Sequence, residues 1–202
     1  MNPQQQLPRD YLDQIATQQT KRTLSLNRPQ LYIFIGIIAI VIIIILAVVV
    51  GMISQSRKEP WERLSVRLAA TSEVAESSEG KIKNSQLRSI NSNVKISLTN
   101  TQRDLAAPLL SAGVKTKEIP ASVTKSESSE AMIARLEDAR LNAKYDSTYA
   151  REMSYQLSNL LTLLRQLYAS SSNEMNKTYL KTTYDNFEPV QKNLADFSAS
   201  NE

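Results

Sequence analysis

Cysteine and histidine are both absent from the 202 residues, and these two gaps exclude more chemistry than any motif present adds. Without cysteine there is no disulfide framework and no thiolate nucleophile. Without histidine the commonest general base and metal ligand is missing. A ferritin-like di-iron bundle, which needs inward-facing Glu-x-x-His pairs, is excluded on the same ground. A serine nucleophile would lack its usual partner, and neither a Gly-x-Ser-x-Gly elbow nor a phosphate-cradling glycine loop occurs. Glycine is scarce, with four in the chain. Gly36 and Gly51 lie in an apolar run, while Gly80 and Gly113 stand where helices could end. With few β-branched alternations outside that run, the chain reads as all-α. The net charge of +4 is spread along the chain, too weak and diffuse for nucleic acid to be an expected partner. No cofactor is expected.

Charge is wholly missing from one stretch, Leu31 to Ile53, LYIFIGIIAIVIIIILAVVVGMI. As a helix rising ~1.5 Å per residue it would reach roughly 35 Å, enough for a hydrocarbon core of about 30 Å. The run is too long for a cleaved signal peptide, and no small-x-small site follows it, so the expectation is an uncleaved signal anchor spanning the membrane once. Residues 1–30, polar and rich in glutamine, are expected to form a disordered tail. Lys21, Arg22 and Arg28 precede the run, and Arg57, Lys58, Arg63 and Arg67 follow it, so cation counting leaves orientation open. Long C-terminal domains translocate largely regardless of charge. The expectation is therefore a cytoplasmic N-terminus and an extracytoplasmic C-terminal domain. Ala47 and Gly51 form a small-xxx-small pair that could let membrane helices approach closely, although such pairs arise often by chance.

The remainder, 54–202, is expected to be a helical-bundle domain with a loop near 114–127. Four stripes at helical spacing define it. The first is Trp61, Leu64, Leu68, Thr71, Ala75 and Ser78, opened by Pro60 and closed by Gly80. The second is Leu87, Ile90, Val94, Ser97 (with Leu98 beside it), Thr101, Leu105 and Leu109, with Pro108 able to bend or end it. The third is an unbroken seam from Met132 through Leu136, Ala139, Ala143, Asp146, Ala150, Met153, Leu157, Leu160 and Leu164 to Leu167, read as one helix from about 128 to 170. Asp146 interrupts it as a carboxylate, followed by Ser147 and Thr148, and the helix could bend or restart there with Asp146 as its N-cap, the favoured role. The fourth is Asn176, Leu180, Thr183, Phe187, Val190, Leu194 and Phe197, with Pro189 expected to kink or divide it. An antiparallel bundle of about four helices is the simplest packing. The alternative is a long helical hairpin continuous with the membrane helix, its first two segments forming one extended arm.

Tyr145, Tyr149, Tyr155 and Tyr168 cluster on the third segment. They are candidates for a partner or ligand surface, since interfaces favour tyrosine, or for flanking a bundle core. The other carboxylates of this segment read as a solvated helix face. No catalytic or metal-binding residue is identified. The function expected is that of a membrane-anchored bundle acting by binding: a structural, scaffold or adhesion-type component. Its expected partners are the lipid bilayer and a second copy or another membrane or envelope protein. An extracytoplasmic sensor or small-ligand-binding bundle is the alternative. An enzyme, such as a hydrolase, would need residue types that are absent.

Overall fold

The computed structural model describes the backbone of residues 28–200 and the side chains of 40–46 and 58–200. Most of the tail expected over 1–30 therefore lies outside the described residues, as do the side chains of Ala47 and Gly51. The described chain is all-α: seven α-helices and one 3-10 turn, with no strand among the described residues. The helices are α1 (Arg28–Ser78), α2 (Ser85–Asp104), α3 (Ala106–Ser111), α4 (Ala121–Ser126), α5 (Glu130–Leu141), α6 (Tyr145–Ser170) and α7 (Glu174–Ser200), with the 3-10 turn at Thr116–Glu118. The chain divides into two compact units, Met1–Val48 and Val49–Glu202.

In the first unit, the residues with described side chains, Ile40–Leu46, are 48–65% exposed. Among the described residues no helix is long and apolar enough to cross a membrane.

The second unit is a bundle whose core follows the stripes closely. Trp61, Leu64, Leu68, Thr71, Ala75 and Ser78 are all buried, as are all seven positions of the fourth stripe. In the second stripe Leu98, not Ser97, enters the core. Hydrogen bonds fix the directions of the helices. Asn91 Nδ2 donates to Ala75 O and Gln102 Nε2 to Leu68 O, so α1 and α2 run antiparallel. Arg67 Nη1 reaches Asn159 O, and the Tyr145 hydroxyl reaches Ser78 Oγ, so α1 and α6 are also antiparallel. The Gln191 side chain donates to Ser154, and the Arg165 guanidinium lies over the Tyr184 ring, which sets α7 antiparallel to α6. The Tyr179 hydroxyl donates to Thr101 O and ties α7 to α2. Because α1 turns back directly into α2, the extended first arm of the hairpin alternative is not what the chain forms.

Local chemistry explains the boundaries. Asn84 caps α2, its side chain accepting from Leu87 N–H at 3.1 Å. Pro108 has no N–H to offer the Asp104 carbonyl, and α2 ends there, with α3 restarting one residue later. Gly113 then stops α3 with φ +73, the N–H of Val114 bonding to Leu109 O and that of Gly113 to Leu110 O. This is a Schellman closure with glycine in the left-handed position. Asn173 caps α7, accepting from the N–H groups of Met175 and Asn176.

Three expectations need correction. The loop over 114–127 contains helical turns, Thr116–Glu118 and α4. Pro189 lies inside α7, which continues undivided to Ser200. The third segment is two antiparallel helices, not one. At its break Ala143 adopts φ +57, Lys144 N–H bonds to Ala139 O, and Ala143 N–H bonds to Arg140 O. That is the Gly113 closure again, built on alanine. The sequence offers a bend or restart at Asp146 but not this reversal, because the seam continues in phase across the turn. Ala143 is exposed, Asp146 is half-buried, and the buried positions resume at Tyr145, Tyr149 and Ala150. Helix α5 therefore runs as a strut parallel to α1. Contacts rise in step along the two: Glu127 to Arg63 and Arg67, Ser129 to Glu73, Glu137 to Lys81. The domain makes five lengthwise passes rather than four: α1, α2, α4 with α5, α6 and α7.

Candidate functional site

A cluster of buried polar groups, Thr71, Glu127 and Ser129 among them, lies where the α4–α5 corner meets α1 and α6. Glu127 occupies the corner because α4 ends one residue earlier, and its side chain is 5% exposed. Arg63 Nε donates to its Oε1 at 2.7 Å, and Arg67 Nε donates to Oε2 at 2.7 Å. The two arginines stand one helical turn apart, so both reach a single carboxylate. Arg67 also donates to Asn159 O at 3.2 Å and so joins α1 to α6. Ser129 Oγ donates to Glu73 Oε2 at 2.6 Å. Arg67, Glu127 and Ser129 border a cleft of about 170 Å³, completed by Thr71, Met132, Gln156 and Asn159 among others. Both arginines pair with Glu127, and the Thr71, Ser126 and Ser129 hydroxyls are engaged, so the arrangement clamps three elements together.

A second polar network threads the core. The Tyr149 hydroxyl donates to Asn91 Oδ1, and Asn91 Nδ2 donates to Ala75 O at 3.0 Å, linking α6, α2 and α1. Tyr145 stacks against Tyr149, ring centroids 6.4 Å apart, and donates to Ser78 Oγ at 2.9 Å. Burial pushes both phenols above their ordinary range. The four candidate tyrosines therefore do not share one surface. Tyr145 and Tyr149 are core residues, while Tyr155 and Tyr168 are 63% and 44% exposed. Asp146 does not cap its own helix. From the first turn of α6 its carboxylate accepts from the backbone N–H groups of Lys83 and Asn84, fixing the turn that starts α2.

Serine precedes lysine by three residues at Ser78, Ser92 and Ser122, the spacing used by some serine nucleophiles. Ser78 is buried against Tyr145, and Lys81 is paired with Glu137. Ser92 bonds to Arg88 O, and Lys95 is paired with Glu79. Ser122 and Lys125 are exposed on α4. Among the described residues no group of three acidic side chains could hold a metal ion. Asn176, in the Asn-Lys-Thr sequence at 176–178, is 4% exposed. Among the described residues, two buried oxygens have no hydrogen-bond partner, Glu62 Oε2 and Asn176 Oδ1. Sequence reasoning missed the Arg63–Arg67–Glu127 clamp; the i, i+4 arginines were visible, but their shared carboxylate lies 60 residues away from Arg67. Compared with protein-family models, with curated proteins and with solved structures, the chain matches none.

Proposed function

We propose that the chain is a single-pass membrane protein in which 31–53 anchors the helical bundle, and that the bundle acts by binding, as a structural, scaffold or adhesion-type component. The observation that carries this reading is the uncharged run of 23 residues, whose described side chains, Ile40–Leu46, are exposed at about half or more of their surface. Seven consecutive large apolar residues in that state need a covering medium, and lipid is the one a run of this length fits. The Arg63–Arg67–Glu127 clamp and the Tyr149–Asn91 network support binding over catalysis, because their polar groups pair with one another. On this reading the N-terminus is cytoplasmic and the bundle extracytoplasmic.

Alkaline carbonate extraction and protease treatment of intact cells test the proposal. The chain is expected in the membrane pellet, with its bundle cleaved from outside. A chain released into the soluble fraction overturns the anchor, and a bundle fully protected on intact cells overturns the orientation. For the binding role, crosslinking in the native membrane is expected to capture a second copy or another membrane protein. Recovery of uncrosslinked monomer alone would refute it.

A further inference from the structure

The end of the bundle that receives the chain from α1 is built from α3, the Thr116–Glu118 turn and the α6–α7 corner. Lys58 reaches this end: a Cβ placed on Gly113 would stand 3.3 Å from Lys58 Cε. Asn173 in the corner donates to Ser111 Oγ at 3.0 Å and so brings the corner to α3. Three large apolar side chains project here, Leu110 (74% exposed), Met175 (46%) and Tyr168 (44%). Met175 also borders a groove of about 400 Å³ with Ala107, Pro108 and Tyr179, lined as well by Asp104 and Thr178. Lys117, exposed on the adjoining turn, adds a cation. The other exposed large hydrophobics of the bundle, Ile96, Tyr155 and Leu141, belong to separate helices.

The distance to the apolar run selects the occupant. From Ile53, where the run ends, to Trp61, the first buried residue of the bundle, every residue is helical. The five steps from Ile53 to Lys58, which reaches this end, amount to about 8 Å at ~1.5 Å each, comparable to the polar layer, roughly 5–8 Å thick on each side of the hydrocarbon core. An apolar bundle end this close to the end of the run falls within reach of the headgroups.

We propose that this end docks on the lipid surface, with Leu110, Met175 and Tyr168 entering the boundary between headgroups and acyl chains. A tyrosine there keeps its ring in the apolar layer and its hydroxyl in the polar one. Lys117 meets anionic headgroups. The docking rests on the membrane-spanning reading of 31–53. It makes the bundle a peripheral lipid binder as well as a tethered domain.

Because the chain has no cysteine, it accepts one label at a time. Leu110→Cys, Met175→Cys, Leu141→Cys and Ile43→Cys variants of the full chain would carry an environment-sensitive fluorophore. Each would be reconstituted in phosphatidylcholine–phosphatidylglycerol vesicles with or without bromine on the acyl chains. Leu141, at 75% exposure, matches Leu110 in exposure but lies at the other end of the bundle, beside the Lys81–Glu137 pair. All three bundle positions are exposed, so unchanged far-ultraviolet circular dichroism is expected. For side chains buried ~5–10 Å into the boundary, labels at 110 and 175 should show about half or more of the quenching seen at 43. The label at 141 should show none. Quenching at 43 with 110 and 175 no more affected than 141 overturns docking and leaves the span reading standing. Absence of quenching at 43 as well overturns the span reading and docking together. Shielding of 110 and 175 from aqueous iodide without bromolipid quenching, increasing with protein-to-lipid ratio, assigns the face to a second copy and overturns the proposal.

Discussion

Tyr149 shows how a single side chain can hold three helices in register. It is fully buried, and its hydroxyl supplies Asn91 Oδ1 with a donor, while Asn91 in turn bonds to α1. Tyr149→Phe keeps the ring and removes the donor, leaving a buried amide oxygen unpaired. The expected cost is about 1–3 kcal/mol of unfolding free energy, read from urea denaturation of the full chain in detergent; a change below ~0.5 kcal/mol would contradict the bond. The inward position of Tyr145 and Tyr149 could not be read from the chain. A seam of alternating 3 and 4 steps marks a narrow stripe, but α6 is covered on several sides by α1, α5 and α7. Its buried face therefore widens to include the residues beside the seam, Tyr145, Tyr149, Ser154 and Leu161 among them. The sequence names the stripe, and the number of neighbours sets its width.

Among the elements, the α5–α6 break separates what periodicity reveals from what it conceals. Helix phase was legible: Met132, Leu136 and Ala139 on one side, and Ala150, Met153, Leu157, Leu160, Leu164 and Leu167 on the other, are buried as the spacing requires. The turn between them was legible only as a bend or restart at Asp146, because its left-handed position carries alanine where glycine is the usual mark. Gly113 closes α3 by the same hydrogen bonds and was recognisable for that reason. An alanine held at positive φ stores roughly 1–2 kcal/mol of steric strain. Ala143→Gly is therefore expected to stabilise the protein by up to about 1 kcal/mol, seen as a higher urea midpoint. In one continuous helix the same substitution would destabilise by about 1 kcal/mol, so the sign of the shift distinguishes the two arrangements.

At the scale of the whole molecule, fold class and core were legible because a glycine-poor chain with four clear stripes has few other ways to bury them. The fifth pass and the ionic clamp were not, since both depend on which residues meet across 60 or more positions. Folding also creates a collective pH response. Burial pushes the phenols of Tyr145, Tyr149 and Tyr179 above their usual range, so the folded bundle keeps protons that the unfolded chain releases near pH ~10. This contribution to stability is complete below about pH 10 and is lost as the pH rises toward the folded-state values. The urea midpoint should be level below about pH 9 and fall above ~10, with part of the rise in absorbance at 295 nm delayed until the chain unfolds; full tyrosine ionisation ahead of unfolding would contradict it. The odd number of passes has a mechanical consequence. Lys58 joins the bundle at one end, while Phe197, near the close of α7, borders a groove with Lys81 and Asp146 at the other. A pull between Lys58 and Ser200 runs along the helix axes, so packed side chains must slide past one another together. An even number of passes would place both handles at one end, where the same pull would peel the helices apart turn by turn.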